Sequence, residues 1–358
     1  MGTVQAFRMS GCHCRNWERE LESLRRCGAA ALAVGMSTLV AGCGGGDNSG
    51  AADISAQRPV AQAEVPLAVR IAAATRTANS TANACANIAP FYWEVGGRNG
   101  ALVGGSRTGP GTTYTAGSGM NLASASKWIY SAYVVQRQAG VLSEADLKHL
   151  QLRSGYTHFG VCYPYHTVRG CLNYGDNSLY EPSHDGLFVY DGGHMQKHAV
   201  MTGLGTQDRR ELTDEVMAQI GPGLPLQYGV PALAGGGYGT PRGYAEFLRR
   251  MMRDELVMGG WLGSHPICTN PNVCPDQAVR SPNPDSENWH YSVGHWIEDD
   301  PVVGDGTYSS PGSKGFYPWI DSRKQFYGLV AREAEFGYFP SVSCGRLIRK
   351  AWMSGTAQ

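Results

Sequence analysis

The stretch Ala123-Ser124-Ala125-Ser126-Lys127-Trp128-Ile129 decides how this chain is read. Behind it Trp128, Ile129, Ala132, Tyr133 and Val135 recur at helical spacing as far as Gly140, which predicts an almost wholly buried helix stopped by glycine. Ser124 opens that helix and Lys127 follows three residues later, and positions i and i+3 share one helix face. The helix N-terminus favours negative charge near the serine oxygen. A buried lysine with a lowered pKa can take the serine proton. The same spacing also arises by chance as a helix cap followed by a solvated lysine, so the rest of the chain has to decide.

Working outward, Phe91-Tyr92-Trp93-Glu94-Val95 and Gly100-Ala101-Leu102-Val103-Gly104 are β-prone runs separated by Gly-Gly-Arg-Asn, the pattern of a hairpin. A polar helix is expected over Gln207 to Ile220, closed by Gly-Pro-Gly. An amphipathic helix is expected from about Pro241 to Leu256, with Tyr244, Phe247, Leu248, Met251 and Met252 on one face. Two strands, Gly315 to Ile320 and Gln325 to Val330, precede a last helix ending near Trp352. Strands at both ends with helices between predict an α+β domain, one antiparallel sheet assembled from both termini with a helical subdomain inserted.

Further segments follow in a fixed order: Leu152-Arg153-Ser154-Gly155-Tyr156, Ala234-Gly235-Gly236-Gly237-Tyr238-Gly239-Thr240 and Tyr291-Ser292-Val293-Gly294-His295-Trp296. With Ala123 to Ile129 they resemble the serine β-lactamase and penicillin-binding-protein superfamily, particularly its class C and family VIII esterase branches, over about residues 91 to 335. The resemblance implies a β-lactamase/transpeptidase-like α/β (α+β) fold, an antiparallel sheet flanked by helices plus a helical subdomain. It implies a serine hydrolase working through an acyl-enzyme, with Ser124 as nucleophile and Lys127 as base.

The resemblance places the second catalytic element at Phe188-Val189-Tyr190-Asp191-Gly192-Gly193-His194, with Tyr190 passing the proton to the leaving group and later activating water. Gly192 stands where the family carries Asn, a departure that bears more on β-lactam hydrolysis than on ester or amide hydrolysis. Tyr174 is a competing tyrosine. The third element falls at Ser309-Ser310-Pro311-Gly312-Ser313-Lys314-Gly315-Phe316, with no basic residue at its first position, although Lys314 could substitute as an anchor for a substrate carboxylate. The oxyanion hole implied is the Ser124 N–H with one from this segment, Ser313, beside Ser310 and Gly312. Trp128, Tyr291 and the Tyr317-to-Trp319 strand would support the site. The expected substrate is a small-molecule or peptide-like acyl compound, with no cofactor. Other readings are a D-Ala-D-Ala carboxypeptidase or transpeptidase, a β-lactamase, or a catalytically silent envelope lipoprotein.

Two other constellations carry less. His194 and His198 have a spacing that can hold zinc but lack the Glu of His-Glu-x-x-His and a third ligand, so no metal is expected. Gly117-Ser118-Gly119 does not match the Gly-x-Ser-x-Gly of an α/β-hydrolase.

Charged residues make up 17% of the chain, with 30 basic and 30 acidic side chains, against about 25% in a typical soluble protein. No basic run outside the N-terminus suggests a nucleic-acid partner. At the N-terminus Arg25-Arg26 precede an apolar run from Ala29 to Val40 that closes in Leu39-Val40-Ala41-Gly42-Cys43. This reads as a secretory signal, and its end resembles a bacterial lipobox, implying cleavage before Cys43 and a lipid anchor on its thiol. Residues 1–43 are thus expected as signal, 44–82 as a flexible tether of Gly, Ser, Ala, Thr and Asn, and 83–358 as the hydrolase domain of a lipoprotein in the periplasm or outer membrane. Beyond Cys43 six cysteines remain, and an even number in an exported protein points to disulfides. Cys162/Cys171 and Cys268/Cys274 lie in loop-rich stretches and read as local staples, leaving Cys85 to meet Cys344, one of fifteen possible connectivities.

Overall fold

A computed structural model describes residues 64–358. The expected signal, the Cys43 anchor and the tether as far as residue 63 lie outside the described residues.

The chain ends build the sheet. Phe91–Gly97 and Gly100–Arg107 form the expected hairpin, and Phe91–Gly97 also pairs with Tyr327–Ala331, setting Trp93 opposite Val330. Eight strands follow in the order Gly100–Arg107, Phe91–Gly97, Tyr327–Ala331, Tyr317–Ile320, Thr307–Ser309, Trp296–Glu298, His290–Tyr291, Ile267–Cys268, every neighbour antiparallel. The edge strand Gly100–Arg107 is never fully buried, whereas Tyr317–Ile320 and Tyr327–Ala331 are buried at every position. Continuous burial requires cover on both faces. Tyr338–Ser354 supplies it on the face of Tyr317, Trp319 and Val330, and Pro241–Met252 on the face of Tyr327.

The helices begin and end where local chemistry dictates. Thr240 caps Pro241–Met252 by accepting from the Gly243 amide, with proline at the first turn, and all five apolar residues assigned to one face are buried. Asp208 and Glu211 form a reciprocal capping box on Arg209–Ile220, and Gly221 at φ +125° stops it. Arg209–Ile220, with Gly193–Met201 and Glu144–Leu150, makes up the inserted helical part.

One boundary differs from expectation. Leu67–Ala78, in the stretch read as tether, is a helix packed on Tyr338–Ser354, with Ala73, Ala74, Thr77 and Ala78 buried. The Arg70 guanidinium donates to the Trp352 carbonyl at 3.0 Å. Alanine fills much of this stretch, which blurs its apolar periodicity, and it is a strong helix former small enough to let two helices approach closely. The ordered domain therefore starts ahead of Cys85.

Three disulfides close Cys85–Cys344, Cys162–Cys171 and Cys268–Cys274. The first ties the Ala84–Ile88 turn to the terminal helix. That helix is also held by charge: Glu298, fully buried, accepts from Arg346 Nε and Arg349 Nη2, each at 3.0 Å, and from the Tyr317 hydroxyl at 2.7 Å. Among the described residues no helix is long and apolar enough to cross a membrane.

Candidate active site

Ser124 sits on the tight turn Ala123–Ala125 that leads into the helix Ser126–Arg137. Ala123 holds φ +45°, a left-handed conformation that costs an L-residue about 1–2 kcal/mol. The surroundings fix it. Its amide donates to Asn121 Oδ1 at 2.7 Å, and its carbonyl accepts the Ser126 hydroxyl at 2.6 Å. Ser126 Oγ in turn accepts from the Gly237 amide at 2.9 Å, and the Leu122 amide donates to the Gly237 carbonyl at 2.9 Å. A Cβ on Gly237 would lie 2.6 Å from Ser126 Oγ, so glycine is needed for this approach.

Lys127 is buried, 4% exposed, and its Nζ donates to Ser124 Oγ at 3.1 Å and to the Ala234 carbonyl at 3.1 Å. Burial lowers its pKa to about 8, with the Asp191 carboxylate acting in the opposite sense. The Tyr190 ring lies against the same ammonium group, 4.5 Å from Nζ to its centroid. Tyr190 stacks on Trp296 at 5.3 Å and meets Tyr291 edge-on at 6.2 Å. Burial pushes its phenol up to about 12, while the neighbouring Ser124 hydroxyl and Trp296 pull the other way.

At Gly192 a Cβ would come within 3.0 Å of the Phe159 ring and 3.4 Å of the Ala234 Cβ, which leaves little room for an asparagine side chain. The Ala234 carbonyl is the second acceptor that Lys127 finds instead. Asp191 stitches this segment together, accepting from the Gly193 amide at 2.8 Å and the Phe159 amide at 3.1 Å.

The segment Ser310–Ser313 passes directly over the Ser124 turn. A Cβ on Gly312 would lie 2.2 Å from the Leu122 carbonyl, and the Ser310 hydroxyl donates to the Ser124 carbonyl at 3.3 Å. The Gly312 amide donates to the Phe316 carbonyl at 2.7 Å and the Ser310 amide to the Pro318 carbonyl at 3.3 Å. Pro311 has no amide proton. Ser313 is thus the position of this segment whose amide makes no backbone hydrogen bond among the described residues. Ser124, Tyr190 and Ser313 line one cleft of about 230 Å³, walled also by Pro282, Trp296, Pro311, Phe336 and Tyr338.

Other residues singled out in the sequence lie elsewhere. Lys314, considered as a carboxylate anchor, is turned to Glu335 at 3.4 Å and does not line the cleft. Tyr174 is exposed just past the Cys162–Cys171 loop, beside Tyr163 and His166. Tyr317 and Trp319 face Arg349 on the terminal helix, because alternate strand residues share a face. Trp128 is buried beneath the site, stacked on His295 at 5.4 Å. The two histidines enter separate networks: His194 Nδ1 accepts from the Ser154 amide at 3.0 Å, which leaves Nε2–H for the Val189 carbonyl at 3.0 Å, while His198 bridges Asp146 and the Tyr130 hydroxyl. Cys162, His166 and Cys171 lie close together, but the two sulfurs are bonded to each other. A cavity of about 790 Å³ lies beside the terminal helix. Its guanidinium groups from Arg346 and Arg349 are already paired with Glu287, Glu298 and Asp305, and Ser124, Lys127 and Tyr190 do not line it.

The Ala234 carbonyl and Phe336 belong to the site although their side chains carry no chemical signal. A glycine-rich turn after Ala234 marks a close backbone approach. Nothing in the pattern around Phe336 does so.

Compared by sequence, the chain matches no family model and no curated protein. Its structure is similar to that of EstCE1, a hydrolase with promiscuous acyltransferase activity, at a TM-score of 0.57 and 11% identity, covering 80% of this chain and 98% of that one. It is similar to FmtA from Staphylococcus aureus at a TM-score of 0.55 and 9% identity, covering 81% and 91%. It is also similar to a β-lactamase/D-alanine carboxypeptidase from Yersinia pestis, at a TM-score of 0.51 and 13% identity, covering 78% and 96%. The chain has the serine β-lactamase/transpeptidase fold, and its neighbours in that fold include hydrolases.

Proposed function

We propose that this protein is a serine hydrolase that cleaves an ester or amide through an acyl-enzyme on Ser124. The observation that carries the reading is the 3.1 Å contact between Lys127 Nζ and Ser124 Oγ at the floor of a cleft shared with Tyr190. Neutral Lys127 takes the Ser124 proton as Oγ attacks the carbonyl carbon. The negative oxygen that forms is received by the Ser124 and Ser313 amides, a type of donor whose loss costs on the order of 10² to 10³ in turnover. The proton returns through Tyr190 to the leaving group as the carbon–heteroatom bond breaks. Water, deprotonated at the same relay, then releases the acid and restores Ser124. A lysine held near pKa 8 by burial supports the base role. Gly192 and the outward turn of Lys314 favour an ester or amide over a carboxylate-bearing β-lactam.

Export and a lipid anchor on Cys43 belong to the same proposal, supported by three disulfides, which persist in oxidising compartments. Turnover of p-nitrophenyl acetate and labelling by a fluorophosphonate test the assignment. Both are expected to vanish in Ser124→Ala, and turnover that survives there rejects it.

A further inference from the structure

One wall of the cleft carries a conformation that the fold does not explain. The segment 332–337 leaves the strand Tyr327–Ala331 and is hydrogen-bonded to the loop that bears Ser313. The Ala334 amide donates to the Lys314 carbonyl and the Gly337 amide to the Ser313 carbonyl, each at 2.8 Å. At its tip Phe336 holds φ +53°, a genuine outlier for a bulky side chain. Its side chain remains 88% exposed although it stands at the mouth of the cleft beside Ser124. An unfavourable backbone conformation that displays a large aromatic ring to water contributes nothing to folding, and such strain concentrates at functional sites.

The rest of the rim has the same character. Pro282, Pro311 and Tyr338 line the same cleft as Phe336, and the Tyr338 hydroxyl donates to the Pro282 carbonyl. Among the described residues the rim of this cleft bears no lysine or arginine: Lys127 lies beneath Ser124, held by the Ser124 hydroxyl and the Ala234 carbonyl, Lys314 is held by Glu335 and Arg280 by Asp191. A carboxylate held at the rim would lose its water with no cation there to meet it. A volume of about 230 Å³ falls below the roughly 300–1,000 Å³ of sites that take drug-sized ligands, so the group accepted is short.

We propose that Phe336 determines specificity by covering the acyl portion of the substrate, and that this acyl group is short, uncharged and apolar. The inference rests on the reading of Ser124 as nucleophile. The acyl side is assigned because Tyr190 serves the leaving group, whereas Phe336 belongs to the segment bonded to Ser313, the oxyanion donor.

The test compares p-nitrophenyl acetate, butanoate, hexanoate and the charged monoglutarate. The wild-type protein is expected to turn over butanoate at least about tenfold faster than monoglutarate in kcat/KM. In Phe336→Ala the hexanoate-to-acetate ratio of kcat/KM is expected to fall about tenfold, and in Phe336→Leu to be largely restored. An unchanged ratio, or preference for the charged ester, overturns the proposal. Binding of p-nitrophenyl hexanoate to Ser124→Ala, read as quenching of the cleft residue Trp296, separates the two readings. A Kd raised by adding Phe336→Ala while turnover is absent in the wild type rejects the nucleophile and keeps the Phe336 contact. Turnover with an unchanged Kd does the reverse.

Discussion

The Lys127 ammonium nitrogen and the Ser124 hydroxyl oxygen lie 3.1 Å apart, and the same nitrogen reaches the Ala234 carbonyl at 3.1 Å. The lysine is therefore aimed by two acceptors before any substrate arrives. On the proposed mechanism Lys127→Ala is expected to lower kcat by about 10² to 10⁴, measured with p-nitrophenyl acetate against a folded control.

The pH dependence follows from the same lysine. Its pKa is lowered to about 8, first by burial, with Asp191 opposing. Only the neutral amine can accept a proton, so kcat/KM is expected to rise as pH rises through about 8. Asp191→Asn removes the charge that raises this pKa, and the rise should move to lower pH. A profile that moves to higher pH, or not at all, counts against the assignment. Stability has its own sign. Between about 8 and the ordinary lysine value of 10.5 the unfolded chain binds more protons than the folded one, so stability increases with pH across that window.

Gly312→Ala tests the packing of the third segment on the nucleophile turn. The added Cβ would lie 2.2 Å from the Leu122 carbonyl, a backbone atom that cannot swing aside. Overpacking of this kind costs about 1–3 kcal/mol. The expected result is a lowered Tm together with loss of fluorophosphonate labelling, since the displaced segment carries Ser313. Normal labelling would show that the segment does not set the site.

Replacing Cys85 and Cys344 together with alanine opens a loop between residues 259 apart in sequence. Loss of a native disulfide typically removes about 2–5 kcal/mol. Guanidinium unfolding should show a lower midpoint. The Cys268–Cys274 bond closes a separation of only 6 residues, so its removal should cost less, because a short loop restricts the unfolded chain less.

Glu298 anchors the terminal helix from inside. Burial alone would raise its pKa, but the Arg349 and Arg346 guanidinium groups hold it below the usual carboxylate range. Glu298→Ala leaves two arginines without their shared buried partner and is expected to destabilise by about 3–5 kcal/mol. Because the folded pKa is depressed, this stabilisation is present above the unfolded value near about 4.3 and is lost as pH falls through the folded one. The acid midpoint of unfolding should therefore rise in Glu298→Gln.

Local order along the chain was enough to determine much of this protein. Helical periodicity after Ser124 put Lys127 on its face, because i and i+3 must meet on a helix whatever surrounds it. Alternation and turn residues placed the hairpin Phe91–Gly97/Gly100–Arg107 and the closing strands, and the ordered companion segments pointed to Tyr190. Cysteine spacing anticipated the pairs that formed. Reading the Gly, Ser, Ala, Thr and Asn composition as a tether failed at Leu67–Ala78, since a run of small alanines carries no sign of the partner helix that lies against it. What only the tertiary structure decided depends on backbone atoms brought together from distant parts of the chain. These are the Ala234 carbonyl on Lys127, the Leu122 carbonyl under Gly312, the one amide of Ser310–Ser313 without a backbone partner, and the aim of Lys314 away from the cleft. Carbonyls and amides are the same at every residue, so sequence carries no mark of which ones will converge. Packing alone assigns them.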